Sequence, residues 1–212
     1  MWFEDEIAPR LTGRAFLVRY ADDAVIVLER EEDARRVMDV LPKRFGKYDL
    51  TLHAEKTRLV RFKRPGASSE GKGRDEDGEG PGTFDFLGFT HLWVKRKGCY
   101  VLKQKMARTR LRRALKAIDS TCKRMRHSPL AEQHKTLCRK LRGLTGYFGW
   151  PGNTPSLVAL VFWTERFWRC WLARRSGRNP TTWERFRHIR QRYPLPPPRL
   201  PARFRCVAVA SP

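Results

Sequence analysis

Two adjacent carboxylates lie between two runs of strand-forming residues in the stretch LVRYADDAVIV, residues 17–27. β-Branched and aromatic runs on either side of the turn-prone pair Asp22-Asp23 are typical of a β-hairpin. Carboxylate oxygens suit Mg²⁺, and rigid strands hold such ligands in fixed positions. Such a hairpin could hold a divalent ion, whereas the Asp-Asp pair taken alone favours ordinary turn chemistry.

The two aspartates are not expected to be equivalent ligands. Neighbouring residues of an extended backbone point to opposite faces, unless the turn rotates them together. We therefore expect Asp22 to be the principal metal ligand and Asp23 the secondary one. Mg²⁺ is the expected ion, and Mn²⁺ is its natural substitute among ions that take oxygen ligands.

The charge of the chain is strongly basic and unevenly distributed. The 212 residues carry 45 Lys and Arg against 22 Asp and Glu, a formal net charge of +23. Residues 105–212 hold 25 of these cations and only 4 of the acids, whereas residues 1–104 are nearly balanced. Such a field concentrates polyanions, so a nucleic acid is the expected partner of the C-terminal half.

The five cysteines and the apolar runs indicate the compartment. No C-x-x-C pair is present, so we expect reduced, buried thiols and no zinc site. No run of about 18 apolar residues could span a bilayer, and the first ten residues lack the pattern of a signal peptide. We expect a cytoplasmic protein with no membrane partner.

The N-terminal half mixes helical and strand-like patterns. Residues 31–46 show helical spacing, with Pro42 predicting a kink or an early end. Residues 50–62 alternate like a strand, and residues 83–104 predict two strands joined across the basic turn at 95–98. Residues 64–82 are rich in glycine and charge, so we expect a disordered insertion.

The C-terminal half predicts amphipathic helices. One apolar stripe begins at Leu111, a second helix begins at the Ser128-Pro129 cap, and a third at Thr154-Pro155. In the third helix we expect Phe167 and Trp171 to be buried. Thr181 and Glu184 predict a capping box for a short final helix, followed by a proline-rich extended tail.

Tyr20-Ala21-Asp22-Asp23, set between these strands, resembles the YADD box of group II intron-encoded reverse transcriptases. Downstream, LTLHAEKTRLVRF (50–62) is similar to the next palm motif of that family, and FDFLGFTH (84–91) to its primer-grip hairpin. RKLRGLTGYFGWPGN (139–153) resembles its maturase region. The resemblance implies an α+β fold, in which a partial reverse-transcriptase palm is followed by an all-α basic thumb or maturase domain.

The resemblance also implies a division of the chain. The expected segments are a partial palm with the YADD hairpin (1–63), the disordered insertion (64–82), a primer-grip-like hairpin (83–104), the helical maturase-specific domain (105–192) and a proline-rich tail (193–212).

Roles for individual residues follow from the same resemblance. Asp22, Asp23 and Lys56 would be catalytic, with Lys56 neutralising or protonating the departing pyrophosphate. Ala54 stands where the family commonly has proline, which removes no reacting group. The expected nucleic-acid-binding residues are Tyr20, Gly88, Arg108, Arg112, Arg113, Lys116, Arg139, Lys140, Arg142, Arg169, Arg174 and Arg175.

The implied activity is RNA-directed DNA polymerase, a nucleotidyltransferase, combined with maturase binding of group II intron RNA. The family's other metal-binding aspartate and its fingers lie upstream of the hairpin, and this sequence begins too late to contain them, so we expect no polymerase activity from the chain alone. The expected partners are intron RNA, a DNA primer or target, and a separately encoded N-terminal reverse-transcriptase fragment. The alternative is a non-catalytic basic RNA-binding module or relic fragment.

Overall fold

The computed structural model describes residues 2–53, 55–65, 82–175 and 181–198. The expected insertion at 64–82 falls largely outside the described residues, as do Ala54 and the end of the proline-rich tail from residue 199. The fold is mixed α and β, with two small antiparallel sheets and several helices, which confirms the predicted class. In the part of the chain described, no helix is long and apolar enough to cross a membrane.

The chain divides into two compact units. Unit 1 comprises residues 1–87 and 92–101, and unit 2 comprises residues 88–91 and 102–212. Three strands, β3 (Phe84–Phe86), β4 (Phe89–Arg96) and β5 (Cys99–Met106), form one sheet in the order β3-β4-β5. Residues of this sheet belong to both units.

Unit 1 begins with a π-helical turn, Phe3–Ile7, and a short 3₁₀ helix, Ala8–Arg10. Strands β1 (Ala15–Tyr20) and β2 (Asp23–Leu28) form the predicted hairpin. Helix α1 (Glu31–Gly46) has the predicted bounds, and Pro42 lies within it without ending it. Among the apolar side chains described in this unit, Phe3, Ala34 and Val37 are the buried ones, so its core is small.

Two strand predictions were wrong, one for residues 50–62 and one for the first strand of residues 83–104. The described residues of 50–62 form no strand, because alternation alone creates none without a partner that supplies the ladder hydrogen bonds. The first strand predicted in 83–104 is split into β3 and β4 by a two-residue turn at Leu87-Gly88. Both turn residues have positive φ, +51° and +79°, as the tight turns of hairpins require.

Asp33 is a buried carboxylate that joins helix α1 to the loop before β1. Its Oδ2 accepts three hydrogen bonds of 3.0 Å, from the Thr12 N–H, the Thr12 hydroxyl and the Gly13 N–H. Burial by itself raises the pKa of Asp33. The hydrogen bonds from Gly13 and Thr12 and the charge of Arg36 outweigh burial, so the pKa lies below its usual value of 3.8.

This pKa makes the stability of unit 1 depend on pH. Because the folded-state pKa is depressed, the carboxylate stabilises the fold above the unfolded-state pKa, and that contribution is lost as the pH falls through the folded-state value. We expect Asp33→Asn to lower the melting temperature at neutral pH and to differ less from wild type as the pH drops below about 4. Thermal unfolding of both proteins across pH tests this. A difference that stays constant down to strongly acidic pH would contradict it.

The described residues of unit 2 form four helices: α2 (Arg108–Arg124), α3 (Leu130–Phe148), α4 (Thr154–Ala173) and α5 (Trp183–Arg192). Their apolar faces form one core. Its buried members are Met106, Ile118, Cys122, Leu137, Leu141, Phe148, Leu157, Leu160, Trp168, Leu172 and Phe186. The predicted stripes therefore face inward.

Some details of the helices differ from prediction. Phe167 and Trp171 are only half-buried, and Trp168 is the fully buried aromatic residue of α4. The N-cap of α3 is Pro129. The N-cap of α5 is Thr182, whose hydroxyl accepts from the Arg185 N–H, so the predicted capping box at Thr181 is wrong by one residue.

The cysteines that the structure describes are free thiols. Cys122 and Cys138 are buried as expected, Cys170 is half-buried and Cys99 is exposed. Burial, aided by the charge of Asp119, raises the pKa of Cys122 to about 12, so this thiol stays protonated. Cys206 lies outside the described residues.

Candidate metal-ligating hairpin and nucleic-acid interface

The β1–β2 hairpin closes one residue earlier than the sequence predicts. Tyr20 pairs with Asp23, which leaves Ala21 and Asp22 as the two-residue turn. Asp23 is the first residue of β2, so the predicted turn pair Asp22-Asp23 was wrong in register. The two carboxylates therefore belong to residues in different secondary structure: Asp22 is in the turn, and Asp23 is at the start of a strand.

The turn is held in an unusual backbone conformation. Ala21 has φ +52°, a left-handed value that residues with a Cβ adopt at a cost of about 1–2 kcal/mol. The Arg19 Nε–H donates to the carbonyl oxygen of Ala21 at 3.0 Å and thereby supports this geometry. Arg19 was not among the predicted site residues, although a basic residue two positions before the turn is visible in the sequence.

One face of the hairpin is apolar and open to solvent. Phe16, Val18 and Tyr20 alternate along β1 and are 63%, 51% and 67% exposed. Val27, opposite Phe16 on β2, is 52% exposed. Asp23 lies opposite Tyr20 and so shares this face, because directly paired residues of antiparallel strands project to the same side.

The two carboxylates are available for a ligand. The side chains of Asp22 and Asp23 are exposed, and neither carboxylate forms a hydrogen bond or ion pair with the other described residues. Mg²⁺ in nucleotide-processing sites is bound by one or two carboxylates, water and substrate phosphates, so this donor pair fits the ion in chemical type. Within the described ranges, no three His, Cys, Asp or Glu side chains come together to hold a metal ion.

Lys56 and Gly88 lie in turns. Lys56 is exposed in a turn of unit 1, where its N–H and that of Thr57 both donate to the carbonyl oxygen of His53. Gly88 is the second turn residue between β3 and β4, and its carbonyl accepts from the Ala107 N–H at 2.9 Å. The positive φ of Gly88 gives a local reason for glycine at this position.

The predicted basic residues lie on the helices of unit 2. On α2 the cations are exposed, and on α3 Arg139 and Arg142 are exposed while Lys140 is half-buried. The exposed cations of α2 are Arg108, Arg112, Arg113 and Lys116. After α4, Arg174 stacks on Trp171 at 5.0 Å, and Arg175 donates to the carbonyl oxygen of His127.

Two acids of unit 2 are engaged by partners other than these arginines. Glu165 forms an ion pair with Arg190 at 3.0 Å, and Asp119 accepts a hydrogen bond from the Trp171 Nε1–H at 2.7 Å. Burial raises the pKa of Glu165, and the charge of Arg190 opposes that effect. Most of the positive charge of the helices is therefore left to face solvent.

Aromatic side chains surround two further arginines. Arg166 lies 4.5 Å from the ring centre of Phe162 and 5.9 Å from those of Trp163 and Trp183. Arg169 lies 4.1 Å from the ring of Trp183. Arg169 was a predicted site residue, but the three aromatic partners were not. The prediction for α4 named only the apolar residues expected to face the core, and it did not consider the aromatic residues on the solvent-exposed face.

Comparisons with known proteins find a family similarity for the segment that contains the β1–β2 hairpin. No curated protein is similar enough to the chain to count as a match. Residues 2–91, less than half of the chain, match the family model described as reverse transcriptase (RNA-dependent DNA polymerase). This segment, which includes Tyr20-Ala21-Asp22-Asp23, is therefore similar in sequence to reverse transcriptase domains.

Proposed function

We propose that the chain is a group II intron maturase-type protein that binds intron RNA through unit 2 to assist splicing. The observation that carries this proposal is the nearly uncompensated basic surface of the helices. The exposed cations of α2 and α3 have no carboxylate partners among the described residues that would neutralise them. Phosphate groups of a folded RNA would supply the missing negative charge.

In the same proposal, unit 1 carries part of an RNA-directed DNA polymerase site. Asp22 and Asp23 would hold Mg²⁺, or Mn²⁺ in its place, and the bound ion would stabilise charge on the attacking 3′ oxygen and on the leaving pyrophosphate. Lys56 would neutralise or protonate the pyrophosphate. Tyr20 would contact a DNA primer or target, and so, in unit 2, would the backbone at Gly88. The match of residues 2–91 to reverse transcriptases supports these roles.

Salt dependence of RNA binding tests the maturase proposal. In a filter-binding titration with a group II intron RNA, log K should fall linearly with log salt, by about 0.7 to 0.9 for each phosphate contact. Replacing Arg112 and Arg113 together by alanine should weaken binding and reduce the slope by about 2. The control is Arg35→Ala, an exposed arginine of unit 1 that is paired with Glu31.

The control should bind as wild type does. Weak binding of wild type without a salt slope would reject the proposal. If Arg112 and Arg113 could be removed without changing the slope, the RNA surface would have to lie elsewhere on the chain.

A second candidate function is polymerisation after pairing with a separately encoded N-terminal reverse-transcriptase fragment. The exposed apolar face of the β1–β2 hairpin favours it, because a two-stranded sheet is marginally stable until another element covers one face. A fragment that packs across this face would bury Phe16, Val18 and Val27. It could also supply a further carboxylate, which the metal-binding site needs in addition to Asp22 and Asp23.

Mixing the two polypeptides and measuring Mg²⁺-dependent primer extension tests this second function. Asp22→Asn should abolish extension, whereas the matched change Asp39→Asn, at an exposed position of α1, should leave it intact. Absence of extension with wild type would count against polymerisation. If Asp22→Asn and Asp23→Asn leave every RNA-dependent activity unchanged, the chain acts as a non-catalytic binding module or relic.

A further inference from the structure

An aromatic–arginine patch covers the outer side of helices α4 and α5. It consists of Phe162, Trp163, Arg166, Arg169 and Trp183. The three aromatic side chains are 47%, 42% and 49% exposed in that order along the chain. Large aromatic residues grouped on a surface mark an interaction site, because leaving them in water forgoes the free energy of burying them.

The rings of the patch are held in place by one another and by the arginines. Phe162 and Trp163 meet edge to face at 5.5 Å, and Trp183 meets the buried ring of Phe186 at 6.2 Å. The guanidinium of Arg166 lies within 6 Å of all three exposed rings. The patch is therefore ordered before a ligand binds, so binding does not carry the entropy cost of immobilising these side chains.

The charge of the patch selects the kind of ligand. Neither Arg166 nor Arg169 has a carboxylate partner among the residues described, although the Arg169 Nη1 reaches the carbonyl oxygen of Thr181 at 3.5 Å. A purely apolar partner would bury these cations without compensation, which is costly. The partner must bring flat apolar surfaces and negative charge together, and unpaired nucleotides do so with their bases and phosphates.

A shallow cavity adjoins the patch on the α5 side. Trp183 forms one wall of this cavity of about 240 Å³, and Phe186, Arg187 and Arg190 complete it. A second cavity of about 310 Å³ shares Arg187 and Arg190 and is also lined by Glu165, the ion-pair partner of Arg190. Arg187 is therefore the cation of α5 that remains to bind a phosphate beside the ring of Trp183.

We propose that the aromatic–arginine patch is a subsite for unpaired nucleotides of RNA, with bases stacked on Trp163 and Trp183 and adjacent phosphates bound by Arg166 and Arg187. This inference deepens the proposed RNA-binding function and rests on it. Duplex RNA cannot stack on these rings, because its bases are already stacked on one another. The patch therefore prefers loops, bulges and single-stranded ends.

Three short RNAs of equal length separate stacking from charge: a single strand, the same strand without its bases, and a duplex. We expect Trp183→Ala and Trp163→Ala each to weaken binding of the single strand by about 5- to 150-fold, the range for loss of one base–aromatic stack. Binding of the abasic strand and of the duplex should change little. The salt slope should also be unchanged, since stacking releases no counterions.

Matched variants serve as controls. Trp150→Ala removes another exposed tryptophan of unit 2 and should leave all three affinities as in wild type. Arg166→Lys keeps the charge but loses the planar group, so it should weaken the single strand more than the duplex. Circular dichroism of each variant verifies that the helices are intact.

The outcomes distinguish this inference from the function on which it rests. If wild type binds none of the RNAs, the RNA-binding function fails as a whole. If wild type binds with a salt slope but the tryptophan variants bind the single strand equally well, only the patch is refuted. Equal losses for the single strand and the abasic strand would also refute stacking. A proline-rich peptide or an anionic vesicle that displaces the single strand from wild type but not from Trp183→Ala would identify a different ligand and overturn the proposal.

Discussion

Replacing Trp168 with alanine is expected to destabilise unit 2 by about 3–5 kcal/mol, the usual cost of removing a large buried aromatic ring. Trp168 is fully buried in the core and meets Phe186 edge to face at 5.6 Å. Its Nε1–H donates to the Gln133 Oε1 at 2.8 Å, so the change also leaves a buried acceptor without its donor. Since domains are stable by only about 5–15 kcal/mol, this is a large fraction of the stability of the unit.

Urea unfolding followed by circular dichroism measures this loss, and the proposed RNA binding should fall with it. Trp168→Phe retains most of the ring but not the hydrogen bond, so it should cost less than alanine. Trp150→Ala, at an exposed position, should change the free energy of unfolding by less than about 0.5 kcal/mol. Equal effects at positions 150 and 168 would show that Trp168 is not central to the core.

Asn153→Leu is expected to destabilise unit 2 by about 2–4 kcal/mol, because it leaves two buried backbone groups without a hydrogen-bond partner. The side chain of Asn153 is fully buried just before α4. Its Oδ1 accepts from the Met106 N–H at 2.9 Å, and its Nδ2 donates to the carbonyl oxygen of Phe148 at 2.8 Å. One amide thereby satisfies the end of β5 and the end of α3 together.

A comparison of variants separates the two hydrogen bonds of Asn153. Asn153→Asp keeps an acceptor for the Met106 N–H but replaces the donor to Phe148 with a second oxygen, which repels that carbonyl. Its destabilisation should therefore grow as the pH rises and the carboxyl group ionises. Urea unfolding at acidic and neutral pH checks this. A leucine variant as stable as wild type would mean that water replaces the amide at both groups.

Helices were predictable from this sequence because their signal is contained in one segment. The spacing of apolar residues predicted α1 with the bounds observed, and it predicted the inward stripes of α2 and α3. The caps were less secure. Thr181 and Thr182 are adjacent and chemically alike, so only the hydrogen bond from the Arg185 N–H identifies the true cap.

Strands and turns were harder to predict, because each strand depends on a partner elsewhere in the chain. Alternation at 50–62 predicted a strand where none forms. The Leu87-Gly88 turn was missed because leucine is an uncommon turn residue and continues the apolar run on both sides. A shift of one residue at Asp22 follows from the same cause, since register is set across two strands.

The candidate site was predictable in residue type but not in surroundings. The YADD stretch predicted the hairpin and its exposed carboxylates, which the structure places at its tip. Charge counts indicated the basic helices. The contact of Arg166 with the ring of Trp183 could not be predicted, because it depends on how α4 and α5 pack. The contact with Phe162, four residues earlier on α4, follows from helical spacing and was missed.

The unequal cores of the two units determine which part of the chain is more easily opened and cleaved by proteases. Unit 2 buries a continuous cluster of large side chains, whereas unit 1 buries few and leaves the hairpin open. Partial opening will therefore begin in unit 1, well below the temperature at which the helices melt. Proteases that cleave after lysine or arginine would cleave the hairpin first and spare the helices, so the RNA binding proposed for unit 2 would be lost later than the polymerase role proposed for unit 1.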